Sequence, residues 1–176
     1  MNILAVGDIV GTTGVKELQK RLQYIKKEYN VDFTIVNGEN AAEGFGITEK
    51  NFSDIIRAGA DCVTMGNHTW GKKDIFRFID DPKLIRPANY PKEVCGKGYN
   101  IYECKGKKIA VINALGRAEI NVMIDNPFTI VKEIVDKIKE EADIIIVDFH
   151  AEATAEKIAM GNYLDGIATI VYGTHT

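Results

Sequence analysis

Carboxylate, carboxamide and imidazole side chains recur in this 176-residue sequence directly after short apolar, β-branched runs. Residues 2–6 lead into Gly7-Asp8, residues 33–36 into Asn37-Gly38-Glu39-Asn40, and residues 62–65 into Gly66-Asn67-His68. Further on, residues 144–147 lead into Asp148-Phe149-His150, and residues 168–172 into Gly173-Thr174-His175. All 3 histidines of the chain stand at such positions. Taken singly, each group has an ordinary explanation: Asp8 as a helix N-cap, Glu39 and Asn40 as turn residues, each histidine as a hydrogen-bonded imidazole. Together they make an oxygen- and nitrogen-rich donor set without thiolate, which suits Mn, Fe, Zn or Mg. The groups exceed the need of one ion, so two ions sharing a bridging carboxylate is the economical reading. Ion pairs about 3.5–4 Å apart serve the hydrolysis of phosphate esters.

The elements that must position these groups alternate between β-branched runs and amphipathic stretches, the pattern of an α/β domain with a largely parallel sheet. Ligands of such sheets bind outside the carboxyl ends of the strands, where the polar residues above fall. Helices are expected over 15–28, with Leu18, Leu22 and Ile25 on one face, and over 48–58, capped by Thr48 and stopped by Gly59. Others are expected over 73–79, over 128–140 with Ile130, Ile134, Val135 and Ile138 inward, and over 154–160, ended by Gly161. Residues 101–104 and 108–113 flank Lys105-Gly106-Lys107 and read as a β-hairpin, which makes the sheet pairing mixed. Residues 81–91 hold Pro82, Pro87 and Pro91 and read as an irregular surface connection.

Composition narrows the function classes. The charge balance of 22 Lys and Arg against 25 Asp and Glu gives −3, no electrostatic footprint for duplex nucleic acid or an anionic membrane. The apolar runs are far short of the ~20 residues that span a bilayer. The start, Met1 followed by Ile3-Leu4-Ala5-Val6, lacks the pattern of a signal peptide, so a cytoplasmic protein is expected. Cys62, Cys95 and Cys104 match no zinc knuckle or CxxC pair and read as buried or half-buried thiols. Gly7, Gly11 and Gly14 fit neither GxGxxG nor a P-loop, so dinucleotide binding is a weak alternative; with Thr12 and Thr13 they form either a helix-start phosphate contact or a loop-closing turn.

Asp8, Asn37 to Asn40, Gly66-Asn67-His68, His150 and Gly173-Thr174-His175 resemble the ordered metal motifs of the calcineurin-like metallophosphoesterases. The strings GDIVG, NGENAAEGFGIT, TMGNHTW, RPANYP and DFHAEATAEK are similar to its YmdB-like branch, bacterial phosphodiesterases acting on cyclic nucleotides. The resemblance runs from residue 1 to the last residue and implies a four-layer α/β/β/α sandwich of mixed sheets in one metallophosphoesterase domain, 1–176. It departs from the broader pattern at Val10, where many members have histidine, at Glu39 in place of a bridging aspartate, and at Thr69 in place of an acidic residue after GNH. The family's last motif carries a second histidine beyond His175, so the resemblance implies that the chain stops inside that motif, at Thr176.

By this resemblance Asp8, Glu39 and Asn40 hold one ion, and Glu39, Asn67, His150 and His175 hold the other. The ions would be divalent or trivalent, Fe or Mn first, with Zn or Mg acceptable to the same donors. A hydroxide between them would attack phosphorus in a 2′,3′- or 3′,5′-cyclic nucleotide, and His68 would protonate the leaving oxygen. The alternative is a metal- or nucleotide-binding regulatory protein with little or no turnover. The expected partner is a small phosphodiester, with homo-oligomerisation left open. Glu43, Arg86, Asn89, Arg117 and Glu152 read either as substrate contacts or as solvated surface, and Trp70 either as a residue that stacks on a base or, preferred, as one that packs against its own helix.

Overall fold

The computed structural model describes residues 1–176. The chain adopts the expected α/β class, with two four-stranded sheets and four α-helices distributed over two compact units, Met1–Leu84 and Ile85–Thr176.

In the first unit the strands β1 (Ile3–Val6), β2 (Phe33–Asn37) and β3 (Cys62–Thr64) pair in parallel, and β4 (Leu84–Ile85), at the boundary, closes the sheet order β1-β2-β3-β4. Every residue of β2 is buried, as expected of a strand covered on both faces. Helix α1 (Gly11–Glu28) starts four residues earlier than its apolar pattern indicates and buries Val15, Leu18 and Leu22, while Ile25 is half-buried. Its N-cap is Val10, with no side-chain cap, so Asp8 is not spent on capping and the glycine-threonine segment is the helix's first turn. Helix α2 (Glu49–Ala58) has the Thr48 capping box with Asn51, and Gly59 ends it at φ 118°, as its sequence indicates. Gln23 Nε2 and Lys26 Nζ of α1 donate to the Ala58 and Gly59 carbonyls, each at 2.7 Å, and so satisfy the end of α2. The helix expected over 73–79 is a short 3₁₀ helix, Lys73–Arg77.

In the second unit β5 (Tyr99–Cys104) pairs antiparallel with β6 (Lys107–Leu115), and β6, β7 (Ile144–Ala151) and β8 (Ile170–His175) run parallel. The hairpin turn is the two residues Lys105 and Gly106, both at positive φ, 50° and 71°, which matches the twist of the flanking strands. Helix α3 (Pro127–Ile138) is capped by the Asn126 side chain and buries Val131, Val135 and Ile138. Ile130 and Ile134, expected inward, are only half-buried because the stripe against the sheet is displaced by one residue. Helix α4 (Thr154–Tyr163) continues through Gly161. Its Met160 and, just beyond it, Leu164 pack with Phe149, Val147 and Ala114 in this unit's core. No helix is long and apolar enough to cross a membrane.

Candidate functional site

The first unit gathers Asp8, Glu39, Asn40 and His68 through hydrogen bonds among three strand-end loops. Backbone pairing brings those loops together: Ile9 N–H donates to the Asn37 carbonyl at 3.1 Å, Gly11 N–H to Asn40 at 2.9 Å, and Gly38 N–H to Thr64 at 2.9 Å. Glycine is needed at 38, since a Cβ there would lie 2.9 Å from Val63 Cγ1 and 3.1 Å from Ile47 Cδ1. Asn37 is structural, its Oδ1 accepting Glu39 N–H at 3.2 Å and its Nδ2 donating to the Met65 carbonyl at 3.3 Å. Glu39 is fully buried, and its Oε2 accepts the His68 backbone N–H at 2.9 Å. The Asn40 Nδ2 donates to both Glu39 Oε1 and Asp8 Oδ2 at 3.2 Å. One amide thus holds two carboxylates, whose mutual repulsion a bound cation would offset. Asn67 sits half-buried on the same turn as His68.

The orientation of His68 comes from Asn40, not from the residue after the GNH motif. Its Nδ1 lies 2.8 Å from Asn40 Oδ1, and the network assigns Nδ1–H as the donor. Thr69 instead locks the turn, its hydroxyl donating to the Gly66 carbonyl at 2.6 Å. Trp70 packs as expected, stacked on Phe76 at 5.5 Å between centroids.

The second unit places its donors on the strands themselves, because β7 and β8 run further than their apolar runs. Asp148 and His150 share one face of β7, and the register sets Thr174 of β8 directly beside His150. The Thr174 hydroxyl donates to Asp148 Oδ1 at 2.7 Å, so its oxygen accepts from His150 Nδ1, 3.0 Å away. His150 therefore turns the lone pair of Nε2 outward. His175, at φ 84°, breaks the alternation of β8 and brings its ring to 4.8 Å from that of His150. Its Nε2 meets Glu152 Oε2 at 2.8 Å, which leaves Nδ1 facing His150 Nε2 at 3.0 Å. Either a proton on one of the two nitrogens or a metal ion beside them offsets the repulsion of two imidazole lone pairs at that distance. About 3 Å is also the separation of adjacent nitrogen ligands each about 2.1 Å from one ion, and each ring donates its other N–H outward as metal-bound histidines do. These residues fit a metal ion.

Glu152 and Thr174 thus support the donor set; only the alternation of Asp148 and His150 signalled such a face in the sequence. Arg86 and Asn89 are not solvated surface but buried clamps. The Arg86 guanidinium donates to the carbonyls of Cys95, Pro87 and Val94 at 2.7–2.8 Å, and burial lowers its pKa. Asn89 Nδ2 donates to the Leu115 carbonyl at 2.8 Å and the Asp125 carbonyl at 3.0 Å, and Oδ1 accepts Leu115 N–H at 2.9 Å. Glu43 and Arg117 are exposed. Of the free cysteines, Cys62 is buried and Cys104 half-buried, but Cys95 is exposed, because the Arg86 clamp uses its carbonyl and not its thiol.

The model of the YmdB-like protein family matches residues 4–176. The 2′,3′-cyclic-nucleotide 2′-phosphodiesterase of Bacillus subtilis is 49% identical over 177 residues, covering all of this chain and 67% of that protein. Two crystal structures share the fold closely. A hypothetical protein from Thermus thermophilus gives a TM-score of 0.93 at 36% identity, over 100% of this chain and 68% of that one. A Mycoplasma pneumoniae protein described as a phosphatase gives 0.92 at 36% identity, over 99% of this chain and 63% of that one. The chain spans about two thirds of the length of these relatives. With nearly its whole length matched by the family model and a relative sharing about half its residues, the chain belongs to the YmdB-like family.

Proposed function

We propose that this chain carries the catalytic residues of a metal-dependent phosphodiesterase that opens cyclic nucleotides, the 2′,3′-cyclic class before the 3′,5′. The observation that carries this reading is the pair of imidazole nitrogens, His150 Nε2 and His175 Nδ1, facing each other at 3.0 Å with their other nitrogens held by Thr174 and Glu152. Kinship with the Bacillus phosphodiesterase supports the substrate class.

The proposed ligands of the ions, Fe or Mn first, are Asp8, Glu39, Asn40, Asn67, His150 and His175. Bound there, such ions supply an activated water and neutralise charge developing on the phosphoryl oxygens. Glu39, buried and pinned by the His68 backbone N–H, is the proposed bridging carboxylate. Asn40 Oδ1 keeps a proton on His68 Nδ1, which aims Nε2 outward as the proton donor. As the water oxygen bonds to phosphorus and its proton passes to solvent, the bond from phosphorus to the ribose oxygen breaks, and that oxygen takes the proton that a doubly protonated His68 carries on Nε2, leaving a neutral ring with Nδ1–H on Asn40.

The test is hydrolysis of adenosine 2′,3′-cyclic phosphate by the chelator-stripped chain before and after addition of Mn²⁺ or Fe²⁺. Turnover restored by metal, with a nucleoside monophosphate as product, supports the reading. Turnover without metal contradicts the metal's role, and binding without turnover favours a regulatory protein.

A further inference from the structure

Phe45 stands in water beside the histidine proposed as proton donor. The residue is 52% exposed, and its ring centroid lies 4.7 Å from that of His68 at a tilt of 48°. Burial does not account for this placement, since about half of the residue stays exposed. The loop presenting it is nonetheless closely specified. Glu43, Gly44 and Gly46 lie at φ 57°, 83° and 81°, in the left-handed region on both sides of Phe45. The loop is closed on itself, with Gly44 N–H donating to the Asn40 carbonyl at 3.0 Å and Ala42 N–H to the Gly46 carbonyl at 2.9 Å. It also sits tightly on the His68 turn: a Cβ on Gly71 would lie 2.8 Å from Phe45 Cδ1, and one on Gly46 would lie 2.8 Å from Lys72 N. Glycine at 46 and 71 permits the approach that sets the ring at His68.

Substrate chemistry gives the ring an occupant. In a nucleoside 2′,3′-cyclic phosphate the O2′ oxygen is three bonds from the glycosidic nitrogen. A group that protonates this oxygen therefore has the base within about a ring's width. We propose that Phe45 is the base-stacking element of the site, the side chain that favours a phosphate ester carrying a base over one of a base-free sugar. This rests on the functional reading above, which puts the phosphate at His68. Stacking tolerates every base because each has a π face. Phe45 thus selects for the presence of a base and not for its identity.

Equilibrium binding tests this without relying on turnover. The purified chain is titrated calorimetrically with adenosine 3′-monophosphate and with methyl riboside 3-phosphate, which lacks the base. Adenosine 3′-monophosphate is expected to bind about tenfold tighter than the riboside phosphate, on the scale of one base–aromatic stack. Phe45→Ala should remove that advantage and leave the riboside affinity unchanged, which also reports that the variant is folded; Phe45→Trp should keep it. Equal weakening of both ligands by Phe45→Ala, equal affinity of the native chain for both, or binding of neither overturns the inference. Base-dependent binding by a chain that hydrolyses no cyclic phosphate upholds it and overturns the phosphodiesterase reading alone.

Discussion

Thr174→Val isolates the support beneath the histidine pair. Valine preserves the volume of this buried residue, so the change removes only the hydroxyl that donates to Asp148 Oδ1 at 2.7 Å and accepts from His150 Nδ1 at 3.0 Å. One hydrogen bond involves a carboxylate and the other leaves a fully buried imidazole N–H without its acceptor, a combined cost of about 3 kcal/mol. For a chain of this length that lowers the thermal midpoint by about 6–12 °C. The ring of His150 also loses what fixes its tautomer, and metal affinity should fall about 10- to 100-fold. Scanning calorimetry measures the first effect, and competition with a chelating dye for Mn²⁺ the second. Thr174→Ser, which keeps the hydroxyl, should be close to native in both. A Thr174→Val protein with native metal affinity would refute the reasoning, because the outward lone pair of Nε2 would then not depend on Thr174.

Three other expectations follow from the same geometry. His68→Ala should keep its metal yet lose about 100-fold or more on substrates with a poor leaving group and less on a nitrophenyl ester; equal losses on both contradict the proton-donor role. Asn89→Ala leaves three backbone groups of Leu115 and Asp125 without their buried partner and should cost about 3 kcal/mol by urea unfolding, whereas a solvated surface residue would cost nothing measurable. Asp54 has its carboxyl held below the ordinary aspartate range by the hydrogen bond from Lys50 at 2.6 Å, assisted by Arg57. Such a group stabilises the fold above its unfolded pKa and loses that contribution as pH falls through the lower folded value, so stability should drop below about pH 4. Asp54→Asn should make that acid limb shallower, and an unchanged limb contradicts the assignment.

The groups of the first unit were legible in the sequence because each directly follows an apolar strand, and local turn chemistry at Gly38 and Gly66 suffices to present them. Asp148, Thr174 and His175 were legible as residue types, but their arrangement was not. It depends on the register between β7 and β8 and on the φ of 84° at His175, neither of which leaves a mark in hydrophobic periodicity. Those polar residues also hid the true strand ends, since Gly173, Thr174 and His175 interrupt the apolar run while the strand continues through them. Arg86 and Asn89 were misread for a related reason: charge and polarity point outward until the carbonyls that need a buried donor are located. On α3, isoleucines at 130 and 134 and valines at 131 and 135 offer two neighbouring stripes, and only packing on the sheet chooses between them.

The central claim is that Asp8, Glu39, Asn40, Asn67, His150 and His175 hold metal. Elemental analysis of the chain, equilibrated with Mn²⁺ and freed of unbound ion, tests it most directly when native protein and Glu39→Gln are compared. Two ions per native chain and close to none in Glu39→Gln are expected, because the proposed bridging carboxylate serves both positions. Native protein without metal would contradict the account, and loss of a single ion from Glu39→Gln would remove Glu39 as the bridge.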